Sequence, residues 1–75
     1  MKKQDKEFLK LIGSSIRNRR EAKEISQQEL ADYADLAKTT IQRIELARMN
    51  SSLLIVKKIC DALEISFADF FKDFK

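Results

Sequence analysis

The residues best suited to specific binding chemistry lie close together, between positions 38 and 43. Lys38 and Arg43 place positive charge on long side chains, and they bracket two threonines and a glutamine. Such side chains donate and accept hydrogen bonds at the edges of nucleic-acid bases and at phosphates. A helix face that meets only water is polar as well, and these residues taken alone support the two interpretations about equally.

Composition excludes most enzymatic chemistry. The 75 residues contain no histidine, one cysteine and one glycine. The chain therefore has no imidazole base, no set of zinc ligands and no glycine-rich phosphate loop. We predict a binding protein with no cofactor and no metal, and not an enzyme. Cys60 is predicted to be an inert, buried thiol.

Charge and hydropathy indicate the surroundings in which the protein works. No apolar run approaches the roughly 20 residues of a membrane span, and the strongly charged first six residues do not resemble a signal peptide. Positions 2 to 23 carry eight bases against three acids, whereas positions 51 to 75 carry four of each. A basic half beside a neutral half suits a cytoplasmic domain that meets phosphate with one face.

Helices are the elements predicted to position these residues. Proline is absent and Gly13 is the only glycine, so the chain lacks the turn residues of a β-sandwich or barrel. Apolar residues at helical spacing predict an all-α fold, a compact five-helix domain over 1–75. The predicted helices cover 5–23, 26–34, 37–47, 53–63 and 66–74.

The second and third predicted helices have distinctive ends and faces. Ser26 and Glu29 are spaced as a capping box, which marks the start of the second helix. The third helix has only Ile41 and Ile44 as apolar anchors, so most of its surface is predicted to face away from the protein. Two short helices joined by a tight turn form a helix-turn-helix unit, whose second helix fits a DNA groove about 12 Å wide.

The stretch 12–67 resembles the helix-turn-helix family of phage lambda-type repressors and xenobiotic-response-element regulators. The matching residues are Ile16-Arg17, Arg20-Glu21, Ile25-Ser26-Gln27-Gln28-Glu29-Leu30-Ala31, Thr40-Ile41-Gln42-Arg43-Ile44-Glu45, Asn50, Leu53, Ile59, Ala62-Leu63, Ile65 and Ser66. The resemblance implies a lambda-repressor-like domain that binds double-stranded DNA and regulates transcription. It also implies a salt bridge between Arg20 and Glu45 that is structural and does not contact DNA.

The resemblance implies roles for the residues of the two helices and their flanks. Residues expected to read base edges are Lys38, Thr39 and Arg43. Residues expected to contact the DNA backbone or to flank that row are Arg17, Gln27, Thr40, Gln42 and Asn50. For Arg17 the alternative is a side chain that meets only water. The family usually has glycine at four positions, often at left-handed helix ends, where this chain has Glu24, Asp35, Leu46 and Glu64.

The last predicted helix places four phenylalanines on one face. We assign Phe67 and Phe70 to the core. The residues predicted to meet a second copy of the chain are Leu54, Ile55, Phe71 and Phe74; the alternative is a cluster contained within one copy. A homodimer would place two recognition helices about 34 Å apart and read a near-palindromic operator.

The length of 75 residues favours the small members of this family but does not decide among its subfamilies. The chain is most like the short controller proteins of restriction-modification systems, but small phage repressors and antitoxins are of similar size. The alternative function is an antitoxin-type module whose main partner is another protein. No small-molecule ligand is expected, and the resemblance implies a prokaryotic or phage origin.

Overall fold

The chain forms five helices in a computed structural model, which describes residues 2–72 and 74. The helices are α1 (Lys3–Ala22), α2 (Gln27–Ala34), α3 (Lys38–Glu45), α4 (Leu53–Ala62) and α5 (Phe67–Phe71). Within these described residues there is no strand, and the predicted all-α, five-helix architecture is confirmed. No helix in this part of the chain is long and apolar enough to cross a membrane.

Two of the predicted helices are shorter in the structure. α3 ends at Glu45 and α5 at Phe71, short of the predicted ends at 47 and 74. Asp73, which falls in the predicted last helix, lies outside the described residues, as do Met1 and Lys75 of the predicted 1–75 domain.

A single apolar core joins the helices. α2 packs against α3 and α4, α1 packs against α3, and α4 packs against α5. Both anchors of α3, Ile41 and Ile44, are buried in this core together with Ile16 of α1, Leu30 of α2 and Ile59 of α4. Two inward anchors are therefore enough to hold α3, and the rest of its surface stays available.

Serine caps define the starts of three helices. Ser26 Oγ accepts a hydrogen bond from the Glu29 amide at 3.0 Å, and Glu29 Oε1 accepts one from the Ser26 amide at 2.9 Å. The hydroxyls of Ser52 and Ser66 cap α4 and α5 in the same way. α3 begins after Ala37, which makes no side-chain cap. Because an alanine cap contributes little, packing of the core fixes the start of α3.

Among residues 2–72 and 74, four residues other than glycine adopt left-handed backbone. They are Glu24 (φ 58°), Asp35 (φ 57°), Ala47 (φ 58°) and Glu64 (φ 58°). The expectation that Leu46 would occupy such a position is wrong. The Leu46 amide still donates to Gln42 O at 3.0 Å, so the reversal falls one residue later, and the Arg48 amide then returns to Arg43 O at 2.8 Å.

The phenylalanines form one aromatic cluster. Phe70 is fully buried, while Phe71 and Phe74 are half-buried, with ring centroids 5.0 and 5.5 Å from that of Phe70. Phe8 of α1 adds an edge contact to Phe74 at 6.0 Å. The chain thus covers more of Phe71 and Phe74 than the sequence indicated, and Phe67, assigned to the core, is only half-buried.

Candidate nucleic-acid interface

Apart from the two buried anchors Ile41 and Ile44, every residue of α3 is polar or charged. Lys38, Thr39 and Arg43 are exposed, and Thr40 and Gln42 are half-buried. Lys38 occupies the first turn of α3, and Arg43 lies in its last turn. The three residues predicted to read bases therefore share the surface that α3 presents to solvent.

A concave surface, which we call the α2–α3 groove, surrounds this face. Its lining residues are Arg17, Arg20, Ser26, Gln27, Gln28, Lys38, Thr39, Gln42, Arg43, Glu45, Leu46, Arg48 and Met49. Five of them are bases, and Glu45 is the one acid. An electropositive concave surface of this kind attracts polyanions such as the DNA backbone.

The groove brings together most of the predicted site residues, but not all of them. All three predicted base readers line it, as do Arg17, Gln27 and Gln42. Thr40 and Asn50 do not line it; Asn50 lines two depressions next to α1, one of which adjoins the groove. The contact roles of these residues stay predictions.

Gln28 and Arg48 line the groove but were not among the predicted site residues. Arg48 follows the left-handed residue Ala47, and Gln28 lies in the first turn of α2. The signal for Gln28 was its place beside Gln27 in the capping box. For Arg48 the sequence offers no signal beyond its positive charge, because the residue pattern does not reveal the turn at Ala47 that places Arg48 beside the groove.

An ion pair connects α1 to the end of α3. Arg20 Nε donates to Glu45 Oε2 at 2.8 Å, and Arg20 Nη2 donates to Glu45 Oε1 at 3.1 Å. The side chains are 11% and 3% exposed, respectively. The hydrogen bond to Glu45 raises the pKa of Arg20 despite the opposing effect of burial. The paired guanidinium neutralises Glu45, the acid that would otherwise repel phosphate from the groove.

The same carboxylate also organises the start of α2. Gln27 Nε2 donates to Glu45 Oε1 at 3.1 Å, and Arg20 Nη1 donates to Ile25 O at 2.9 Å. These bonds fix α1, α2 and α3 relative to one another at the groove. The backbone amides of Gln27 and Gln28 lie in the first turn of α2, where helix geometry gives them no intrahelical acceptor. They are suited to a phosphate at the positive end of the helix dipole.

Arg17 is held more loosely than Arg20. Its Nε lies 3.5 Å from Glu21 Oε2, and both side chains are more than half exposed. An exposed pair four residues apart contributes little, so Arg17 can exchange this partner for a phosphate at small cost.

A metal centre and a reactive thiol are two further kinds of site that the described part of the chain could hold. Residues 2–72 and 74 contain no group of three or more acidic or cysteine side chains placed to hold a metal ion. Cys60 is completely buried, and burial raises the pKa of its thiol. A neutral buried thiol is a poor nucleophile.

Comparison with known proteins gives one family and several similar structures. The family model described as helix-turn-helix matches residues 16–70. The restriction-modification controller protein C.AhdI from Aeromonas hydrophila is 32% identical, with a TM-score of 0.81 over 84% of this chain and 96% of that chain. No curated protein matches the sequence significantly.

Two further solved structures are similar over most of their length. A point mutant of the restriction-modification controller protein C.Esp1396I is 30% identical, with a TM-score of 0.81 over 85% of this chain and 81% of that one. The clp gene regulator ClgR from C. glutamicum is 25% identical, with a TM-score of 0.80 over 85% of this chain and 82% of that one.

Proposed function

Because this chain belongs to the helix-turn-helix family, a family of DNA-binding regulators, we propose that it regulates transcription by reading one operator sequence with α3 in the major groove. The observation that carries this proposal is the exposed row of Lys38, Thr39 and Arg43 inside an electropositive groove. The similarity to restriction-modification controller proteins supports a role in transcriptional control of that kind.

In the proposed complex, α2 binds the DNA backbone and α3 contacts the bases. The first-turn amides of α2, with Arg17 beside them, bind phosphate and set the depth and angle of α3. Lys38 and Arg43 then reach guanine O6 and N7, and Thr39 contacts a neighbouring base. The half-buried Thr40 and Gln42 flank this row, and Asn50 meets the backbone beyond it.

Changing Arg43 to alanine is expected to weaken operator binding by about 1–3 kcal/mol, which is about 5- to 150-fold, and to relax the preference at one base pair. The side chain is exposed, so the fold is expected to remain intact. Gel shifts on a duplex enriched from a random library by the wild-type protein measure both effects. Lys57→Ala, which removes an exposed base of α4 outside the groove, is the control; equal affinities of wild type and Arg43→Ala would contradict the role of α3.

We further propose that two copies pair and bind a near-palindromic operator. One recognition helix reads only a few base pairs, too few to specify a unique site in a genome. Two such helices about one DNA turn apart read twice as many base pairs. Leu53 and Leu54 at the start of α4 are 74% and 64% exposed. Ile55, the next residue of α4, is half-buried, as are Phe71 and Phe74 of the aromatic cluster. Burial of such leucines against a second copy would stabilise both copies.

Changing Leu54 to glutamate is expected to convert a dimer into a monomer, because a carboxylate cannot be desolvated in an apolar contact without a partner. Phe71→Glu is a poorer test, since Phe71 packs within its own chain against Phe67 and Phe70. Sedimentation at micromolar concentration is the measurement. Tyr33→Glu, at a 64% exposed residue of α2, is the matched control. A wild type that stays monomeric with and without DNA would overturn the dimer.

A further inference from the structure

The basic residues of the first half of α1 lie beside the loop that follows α3. A shallow depression brings Lys6 and Lys10 together with Arg48 and Asn50. We call these four residues the α1–loop surface. They include three bases and no acid, and Lys6 and Lys10, four residues apart, share one face of the helix.

This surface is continuous with the α2–α3 groove. Arg48 lines both the groove and the depression next to α1, so the two meet at its side chain. Positive charge therefore extends past the end of α3 and onto α1. The proposed reading of bases by α3 uses none of the α1 lysines.

Lys6, Lys10 and Arg48 are available to an outside partner. All three are exposed, and among residues 2–72 and 74 none of them lies in an ion pair. The half-buried side chains of Leu9 and Met49 line the same depression, where they can support the apolar stems of the lysines. Exposed cationic side chains that lie in a row beside the groove, and outside the ion pairs of the described residues, are suited to bind successive phosphates of a DNA backbone.

We infer that the α1–loop surface binds the phosphate backbone of the same duplex outside the base pairs that α3 reads. The inference rests on the proposed function. It assigns Lys6 and Lys10 to DNA contact without sequence preference, and it makes the bound length of duplex greater than the recognised sequence. Contacts of this kind add affinity and salt dependence equally on all sequences.

The test compares Lys6→Gln/Lys10→Gln with wild type on two duplexes. One is a duplex enriched from a random library by the wild-type protein; the other has the same length but an unrelated sequence. On the enriched duplex the slope of log affinity against log salt is expected to be shallower by about 1.8 for the variant. Raising salt from about 50 to about 200 mM then costs wild type about tenfold more affinity than it costs the variant. On the unrelated duplex the slope is expected to change by the same amount, because a phosphate contact carries no sequence preference.

Lys57→Gln/Lys58→Gln removes the same charge from α4 and is the matched control. The inference is overturned if the α1 variant keeps the wild-type slope on the enriched duplex, if the control changes the slope equally, or if the change is confined to the enriched duplex. Arg43→Ala measured in parallel separates this failure from failure of the proposed function. An effect of Arg43 without an effect of the α1 lysines rejects only the flanking contact, whereas no effect of Arg43 rejects the reading of bases by α3.

Discussion

Replacing Arg20 with alanine is expected to lower the free energy of unfolding by about 3–5 kcal/mol, a large part of the stability of a domain this small. The change leaves the Glu45 carboxylate, 3% exposed, without the guanidinium that now binds both of its oxygens. Urea denaturation followed by circular dichroism measures the effect. The hydrogen bond to Glu45 raises the pKa of Arg20 above its already high ordinary value, so the contribution of the charged guanidinium to stability is lost only as the pH rises through that pKa in strong alkali.

Arg17→Ala is the matched control, since Arg17 lies on the same helix in an exposed pair with Glu21 and is expected to change stability by less than about 1 kcal/mol. Arg20→Ala should also weaken DNA binding, through the smaller folded fraction and through the uncompensated charge of Glu45 in the groove, but by less than it lowers stability. If Arg20→Ala left the urea midpoint unchanged, the structural role of the salt bridge would be contradicted, and Arg20 would become a candidate for phosphate contact. A second variant, Arg20→Met/Glu45→Leu, is expected to recover much of the loss, because it removes the unpaired charge as well.

Replacing Gly13 with alanine is expected to destabilise the fold by about 1–3 kcal/mol, although alanine favours helix more than glycine does by about 1 kcal/mol. A Cβ at this position would overlap the Ile44 carbonyl oxygen and lie 2.9 Å from the Glu45 carbonyl oxygen. Both are backbone atoms, so α1 and α3 must move apart. The thermal midpoint measures the change.

Ser14→Ala gives the helix-propensity effect alone, since Ser14 is the exposed neighbour of Gly13. It is expected to leave stability unchanged or slightly increased. A Gly13→Ala variant as stable as Ser14→Ala would show that α1 and α3 can separate at this crossing without cost. Because α3 carries the proposed base readers, Gly13→Ala is also expected to reduce operator affinity in the folded fraction.

Local signals were sufficient to predict where α2 starts and which face of α3 is exposed. The capping box of Ser26 and Glu29 and the two anchors Ile41 and Ile44 act within one or two turns, so the sequence displays them directly. Single-glycine composition likewise indicated helices, and the position of Gly13 is explained by the close crossing of α1 and α3.

Features that depend on distant parts of the chain were less predictable. The left-handed residue after α3 is Ala47, because one more helical hydrogen bond forms before the chain turns. Phe74 is partly covered by Phe8, which lies 66 positions earlier in the sequence. The place of Arg48 in the groove depends on that same turn after α3. A residue pattern does not contain these contacts, since tertiary packing decides them.

The four left-handed residues have a consequence for the lifetime of the protein in a cell. A residue with a Cβ in this conformation costs roughly 1–2 kcal/mol, and Glu24, Ala47 and Glu64 all lack the short polar side chain that relieves Asp35. Proteases degrade the unfolded fraction, so a narrow stability margin increases turnover. If the proposed function holds, DNA would bind only the folded form, and copies on an operator would be protected while unbound copies are degraded. The concentration of unbound protein would then follow its rate of synthesis closely.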